Sequence, residues 1–306
     1  MKIGVTIESY GQPADFGDQL RMIVQAEKDG FESLWFGAAK EPLITAAVAG
    51  RETSSIEFMS AIVISYLRHP YALAQQALTT NAATGGRFVL GIGPANRPLV
   101  ERLGYSYDNS AAAMREYVTV VKSIAETGVA DLDGEYVTAK SMTLAMPWGS
   151  PMPVLISALG PAMLKTAGEV ADGTVTWMAG VKTVESYVVP RITSAARAAG
   201  RPSPRVAVGL PIAVCDDAQA GKAAAAETFK NYLNSPHYRR LVDREGGSIE
   251  DVAVCGDEKA VESRLRELAA AGASHLYAYA VPLGDKPAAS IARTHELLAS
   301  LVGKIG

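Results

Sequence analysis

Apolar and polar positions switch between two periods along this chain. Ile3, Val5 and Ile7 alternate with polar or small neighbours, which is the period of a half-buried strand. After Pro13 and Asp15 the period lengthens, and Phe16, Leu20, Ile23 and Ala26 fall on one helical face that Gly30 ends. "ESLWFG" then reads as a second strand. The same succession recurs in "AGEVADGTVTW" (167–177) and "LAAAGASHLYAYA" (268–280), where a glycine joins the tail of a helix to a short apolar strand. Strand-like runs cover roughly 2–7, 33–37, 56–63, 87–92, 153–157, 173–177, 205–214 and 274–281. Helical stretches such as "PYALAQQALTTNAAT" and "AAMREYVTVVKSIAETG" separate most of them. Eight βα units predict a (β/α)8 TIM barrel with insertions, a single domain over 1–306, with a doubly wound sheet as the alternative.

Two stretches exceed a minimal barrel. Residues 129–152 carry Asp133-Gly134 between alternating segments and read as a hairpin. Residues 216–256 read as two helices before the last βα unit, and insertions of this kind cover sites or build subunit surfaces.

Composition narrows the class. The 306 residues are 48% hydrophobic and 20% charged with a net charge of -3, an ordinary globular balance without the basic surface that nucleic acid requires. Cys215 and Cys255 lack zinc or dithiol spacing, and four scattered histidines define no metal site, so no metal is expected. No run approaches the length of a membrane span and the start lacks a signal-peptide pattern, which predicts a cytoplasmic protein away from membranes.

Candidate chemistry begins at "TGGRFVLGIGPANRP" (84–98), where Gly91-Ile92-Gly93 follows a strand. A dinucleotide turn would place a third glycine at 96, a helix directly after it, and an acidic strand end about 20 residues on. Position 96 is asparagine, Pro94 stiffens the loop, no helix is read directly after it, and Glu116 lies in a helical pattern. On the motif alone, the glycines simply end a strand. A second loop, Ser157-Ala158-Leu159-Gly160, precedes a helix opened by Pro161. Its backbone N–H groups form either a plain helix start or an anion site.

Together "RHPYALAQQALTTNAATGGRFVLGIGPANRP" (68–98) and "PVLISALGPAMLKTAGEVADGTVTW" (153–177), joined by "MREYVTVV", "GRPSPRVAVGLPIAV" and "HYRRLVDREG", carry a family resemblance. The chain resembles the bacterial luciferase-like family, and within it the actinobacterial type of coenzyme F420-dependent oxidoreductase. The resemblance implies a TIM barrel with its cofactor at the C-terminal strand ends, a small-molecule substrate and a homodimer. It places a non-prolyl cis peptide at Ala61-Ile62, with Ile64 just beyond, behind the cofactor ring. Gly93, Pro94, Ala95 and Asn96, and Ala158, Leu159, Gly160 and Pro161, fall near the cofactor side chain and phosphate. Trp177 becomes a core or pocket-wall aromatic. Lys40, Arg68 and Arg97 are candidates to meet the acidic cofactor tail, each with an alternative reading as a solvated surface charge.

The sequence departs from the relatives at "LWFGAAKEP", where Ala38 and Ala39 replace an acidic residue and a histidine that serves as acid or base. That loss favours hydride addition to a C=C or C=N bond, which needs at most one proton. Glu8, Tyr10 and Glu41, all just past strand ends, are the candidate proton donors, each with an alternative reading as a solvent-facing loop residue. His69, before Pro70, is expected to orient a loop, and His275 opens a strand at the face opposite the chemistry. Two other functions remain open: an FMN-dependent two-component monooxygenase of the same fold, and a non-catalytic cofactor-binding barrel.

Overall fold

A computed structural model describes residues 1–37, 41–146 and 150–306. Ala38, Ala39 and Lys40, where the altered acid-base positions and one candidate tail-binding cation fall, lie outside the described residues, as do 147–149 in the hairpin excursion. The strands are β1 (Lys2–Thr6), β2 (Ser33–Gly37), β3 (Glu57–Ala61), β4 (Val63–Ile64), β5 (Phe88–Gly93), β6 (Val129–Asp133), β7 (Thr138–Thr143), β8 (Val154–Ser157), β9 (Gly173–Trp177), β10 (Arg205–Val214), β11 (Val254–Gly256) and β12 (His275–Ala280). The first six helices are α1 (Phe16–Lys28), α2 (Pro42–Glu52), α3 (Pro70–Ala83), α4 (Arg97–Arg102), α5 (Ser110–Thr127) and α6 (Pro161–Val170). There follow α7 (Val181–Thr183), α8 (Val189–Ala198), α9 (Ala218–Phe229), α10 (Pro236–Glu245), α11 (Ile249–Val252), α12 (Glu258–Ala270) and α13 (Pro287–Ser300).

The fold is the expected (β/α)8 barrel. Strands β1, β2, β3, β5, β8, β9, β10 and β12 are hydrogen-bonded in that order, with β10 also paired to β9 and β12 to β1. The apolar runs explain it: β5 is buried at every position and β10 at all but its first, as strands covered on both faces must be. No helix among the described residues is long and apolar enough to cross a membrane.

The chain forms two compact units. One comprises Met1–Trp35, Val175–Pro190 and Arg205–Gly306, the other Phe36–Thr174 and Arg191–Pro204, so β2 and β9 each run from one unit into the next. In the first unit β12 lies between β1 and β10, with Gly4 and Gly209 both opposite Tyr277. In the second, Asp172 ties three segments: it accepts from Lys122 at 2.7 Å, Arg201 at 3.0 Å and the Val154 amide at 2.8 Å. The Asp133-Gly134 hairpin is present as antiparallel β6 and β7, held to α3 by His69 and Tyr71, which bond to the carbonyls of Thr138 and Thr143.

Three expectations need correction. Phe16 is 46% exposed because it is the first residue of α1, where Gln19, Ile23 and Ala26 form the buried stripe. Residues 216–256 hold α9 and α10, but also the one-turn α11 and β11, which extends the sheet along β10. A six-residue helix, α4, does open directly after Asn96, because the Asn96 side chain caps it by accepting from the Leu99 amide at 3.0 Å.

Candidate functional site

In the second unit the site residues gather at the ends of β3, β5 and β8. The Ala61-Ile62 peptide is cis. Beyond it β4 pairs with β5 so that Ile64 stands opposite Gly93. A Cβ added at Gly93 would fall 2.9 Å from Ile62 Cδ1, closer than real Cβ atoms approach, and 3.0 Å from Ser157 Cβ, tighter than nearly all of them. Glycine therefore lets β5 pass between these side chains. Deeper in the same strands, Ser60 locks β3 to β5: its hydroxyl accepts from the Gly91 amide at 2.8 Å and donates to the Gly91 carbonyl at 3.0 Å.

The loop after β5 is shaped by Pro94 and by Ala95, which adopts φ +64°, and the Tyr107 hydroxyl donates to the Ala95 carbonyl at 3.2 Å. With its oxygen committed to capping α4, Asn96 retains its amide N–H groups as donors. Arg97 is held by Glu101 at 3.2 Å and Asp108 at 3.0 Å and lies over the Tyr107 ring. Arg68 is held by Gln76 and by Glu41. Both guanidiniums thus already have counter-ions, in keeping with the surface-charge reading of them rather than the tail-binding one. After β8, Ala158 is buried, Leu159 and Gly160 are half-exposed, and Pro161 opens α6, whose first turn has no side-chain cap because Gly160 occupies that position. Glu41 is the N-cap of α2, accepting from the Leu43 amide at 3.1 Å. His69 caps α3, with Nδ1 accepting from the Tyr71 amide, the loop-orienting role expected of it.

The first unit carries an aromatic cluster and one carboxylate. Alternation along β12 puts Tyr277 and Tyr279 on one face. Tyr277 stacks on Trp35 at 4.5 Å and lies 5.9 Å from Trp177, and its hydroxyl donates to the Thr176 carbonyl at 2.8 Å. Phe229 and Tyr232, at the end of α9 and just beyond it, close on Trp177 at 5.3 and 6.2 Å, and Phe229 meets Tyr279 at 5.0 Å. Trp177 Nε1 is buried without a hydrogen-bond partner among the described residues. Glu8 lies on the 3-10 turn after β1, which Ser9 clamps to β12 by donating to the Ala278 carbonyl and accepting from the Ala280 amide. Burial and then the Glu8 charge raise the phenol pKa of both Tyr232 and Tyr279, and Glu8 lines the same cavity as Tyr279.

Tyr10 points elsewhere. Its hydroxyl donates to Asp29 at the end of α1 at 2.7 Å, and its ring packs on His295 of α13 at 4.6 Å. Burial, reinforced by Asp29, pushes its phenol pKa well up. It is anchored to the helices α1 and α13, although it lines one cavity with Glu8 and Tyr279. His275 opens β12, 6% exposed, and burial pushes its pKa down to about 3. Tyr277, Tyr279, Phe229 and Tyr232 were not singled out from the sequence, although the alternation in "HLYAYA" marks the first two.

Residues 1–275 match the model of the luciferase-like monooxygenase family. The 5,10-methylenetetrahydromethanopterin reductase of Methanopyrus kandleri is 30% identical over 227 residues, 67% of this chain and 64% of that protein. Among solved structures, the coenzyme F420-dependent tetrahydromethanopterin reductase from Methanopyrus kandleri superposes with a TM-score of 0.79 at 24% identity, covering 98% of each chain. The oxygenating constituent of 3,6-diketocamphane monooxygenase of Pseudomonas putida, in complex with FMN, gives a TM-score of 0.76 at 21% identity over 99% of this chain and 97% of that one. At these identities the solved structures establish a shared fold.

Proposed function

The chain belongs to the luciferase-like monooxygenase family, and from that premise we propose that it is an oxidoreductase that binds reduced coenzyme F420 and adds hydride to a C=C or C=N bond of a small organic substrate. Gly93 carries this reading. Because it has no side chain, β5 passes close beside Ile62 and Ser157, which draws the ends of β3, β5 and β8 together as one cradle for a flat ring. Ala61, Ile62 and Ile64 supply an apolar backing for that ring. Pro94, Ala95 and the Asn96 amide, with the uncapped turn at Ala158, Leu159, Gly160 and Pro161, suit a polar side chain and phosphate. The bound deazaflavin supplies the hydride, and the protein supplies orientation, exclusion of water and a proton. Of the three donor candidates, Glu8 lies just past β1, on the turn that Ser9 fastens to β12, and it is assigned to proton delivery, with Trp177 as a pocket wall.

Titrating the purified protein with F420 and with FMN, followed by fluorescence, tests the reading. Micromolar F420 binding that weakens at least tenfold in Gly93→Ala is expected; FMN binding with none of F420 would overturn it. The FMN-bound relative supports a second reading, a two-component monooxygenase on the same cradle. Oxygen consumption coupled to added FMNH2 distinguishes it. We further propose a cytoplasmic homodimer, since Ile44 and Val48, one turn apart on α2, are 65% and 38% exposed. Sedimentation at twice the chain mass is the expected result.

A further inference from the structure

Cys215 and Cys255 are the only cysteines of the chain, and the first unit brings them together although their spacing in sequence gives no sign of it. Cys215 directly follows β10, and Cys255 is the middle residue of β11. These strands are parallel with Ala213 opposite Cys255, and the ladder continues past β10, where the Cys215 amide donates to the Gly256 carbonyl at 2.8 Å. Residues 213, 215 and 255 therefore share one face of the sheet. On that face both cysteines pack with Ala213 and with Ala225 of α9. Gly221, one turn earlier in α9, shows how close the sulfurs come: a Cβ there would fall 2.9 Å from Cys215 Sγ and 3.3 Å from Cys255 Sγ. Those two distances limit the sulfur–sulfur separation to 6.2 Å.

A disulfide holds its sulfurs at about 2.05 Å and its Cα atoms about 4.4–6.8 Å apart. Cys215 stands two residues along from the partner of Cys255, and a rise of about 6.6 Å over a strand spacing of about 4.8 Å sets the Cα atoms about 8 Å apart. The bond therefore closes only as one strand gives. β11 is the weaker of the two, three residues at the edge of the sheet. Its Cys255 lies against α9 at Gly221, and α9 ends on Phe229, which meets Trp177 at 5.3 Å.

We propose that Cys215 and Cys255 form an oxidisable dithiol that a small-molecule disulfide such as glutathione disulfide closes, and that closure shifts β11 and α9 and loosens Phe229 from Trp177. The thiolate of Cys215, the less buried of the two, attacks one sulfur of glutathione disulfide and expels a glutathione thiolate, which takes up the proton Cys215 released. The Cys255 thiolate then attacks the Cys215 sulfur of the mixed disulfide and expels the second glutathione thiolate, which takes up the proton from Cys255. Two protein thiols are oxidised, and one glutathione disulfide is reduced to two thiols. Burial raises both cysteine pKa values, that of Cys255 to about 12, so few thiolates form at neutral pH and closure is slow there. The dithiol does not depend on which cofactor the chain binds.

The purified protein is treated with glutathione disulfide at mildly alkaline pH, alkylated, and weighed by mass spectrometry. The expected product is two hydrogens lighter than the reduced chain, carries no alkylated thiol, keeps its far-ultraviolet circular dichroism, and reverts with dithiothreitol. A non-reduced digest should contain the Cys215–Cys255 linkage, and Cys255→Ser should stop at a mixed disulfide on Cys215. Closure should change tryptophan emission, and Trp177→Phe should remove most of that change. Two thiols still open to alkylation, or glutathione retained on both, would overturn the dithiol. A closed bond with unchanged tryptophan emission would overturn its coupling to α9. Neither outcome alters the F420 titration, so the two readings fail independently.

Discussion

Gly209→Ala puts the first unit's aromatic stack to a quantitative test. Gly209 faces Tyr277 across the β10–β12 pairing, and an added Cβ would sit 2.2 Å from two atoms of the Tyr277 ring and 2.5 Å from Trp177. The ring has little room to yield: it is 4% exposed, stacked on Trp35, and tethered through its hydroxyl to the Thr176 carbonyl. Overpacking costs about 1–3 kcal/mol. Losing the Tyr277 hydrogen bond adds about 1 kcal/mol and loosening one aromatic pair about 0.5–1.5 kcal/mol. A loss of about 3–4 kcal/mol follows. With about 2.1 cal/mol/K of unfolding entropy per residue over 306 residues, it lowers the melting temperature by about 5 °C. Thermal melts and the near-ultraviolet circular dichroism of the stacked rings measure both consequences. Gly160→Ala is the control: φ there is -102°, an added Cβ meets nothing within 4 Å, and the change should cost no more than about 1 kcal/mol, the loss from placing Ala at an N-cap. A shift below about 1 °C in Gly209→Ala with an unchanged near-ultraviolet spectrum would refute the packing argument.

Glu8 and Glu41 should separate by phenotype. Glu8→Gln is expected to lower kcat about 100-fold with F420 affinity nearly unchanged, whereas Glu41→Ala should leave kcat intact and lose about 1 kcal/mol of stability with its helix cap. Steady-state kinetics and thermal melts check both, and the reverse pattern would exchange the two assignments. His295 should make stability depend on pH in a defined window. The unfolded imidazole takes up its proton near pH 6.5 and the folded one only near pH 4, so the unfolded state binds more protons in between. Stability contributed by the neutral ring is complete above pH 6.5 and falls as pH drops toward 4, by on the order of 3 kcal/mol. His295→Gln should flatten that part of the stability curve in urea titrations at successive pH values; an unaltered slope would show that His295 does not carry it.

The barrel strands were legible because each is a short run, alternating as in β1 or nearly all apolar as in β5 and β10, between helices of distinct period. The Asp133-Gly134 turn was legible for a local reason, the backbone freedom of glycine beside a polar residue. The dinucleotide reading of Gly91-Ile92-Gly93 was excluded correctly even though α4 follows it, because the missing third glycine and acidic partner are chemical requirements that a helix start does not supply. Side-chain direction was harder to read. Glu8 and Tyr10 look equivalent in sequence, but two residues along a 3-10 turn rotate a side chain to a different neighbour. Arg68 looked available because its partner Glu41 comes from another segment, whereas the Arg97–Glu101 pair is a local i,i+4 spacing hidden until α4 is known to be a helix. The aromatic cluster joins β2, β9, β12 and the insertion after β10, and only its Tyr277-Tyr279 alternation is a local signal.

The two compact units also set an order of biosynthesis. Unit two contains no residue beyond 204, whereas unit one begins with residues 1–35 and waits for β12, whose His275 pairs with Lys2. At about 5–20 residues per second, a ribosome takes roughly 12–50 s to travel from residue 35 to residue 275. Throughout that interval Val5 and Leu34 can pair across β1 and β2, but the β12 side of β1, including Ile3 opposite Leu276, lacks its final neighbour and stays exposed to aggregation.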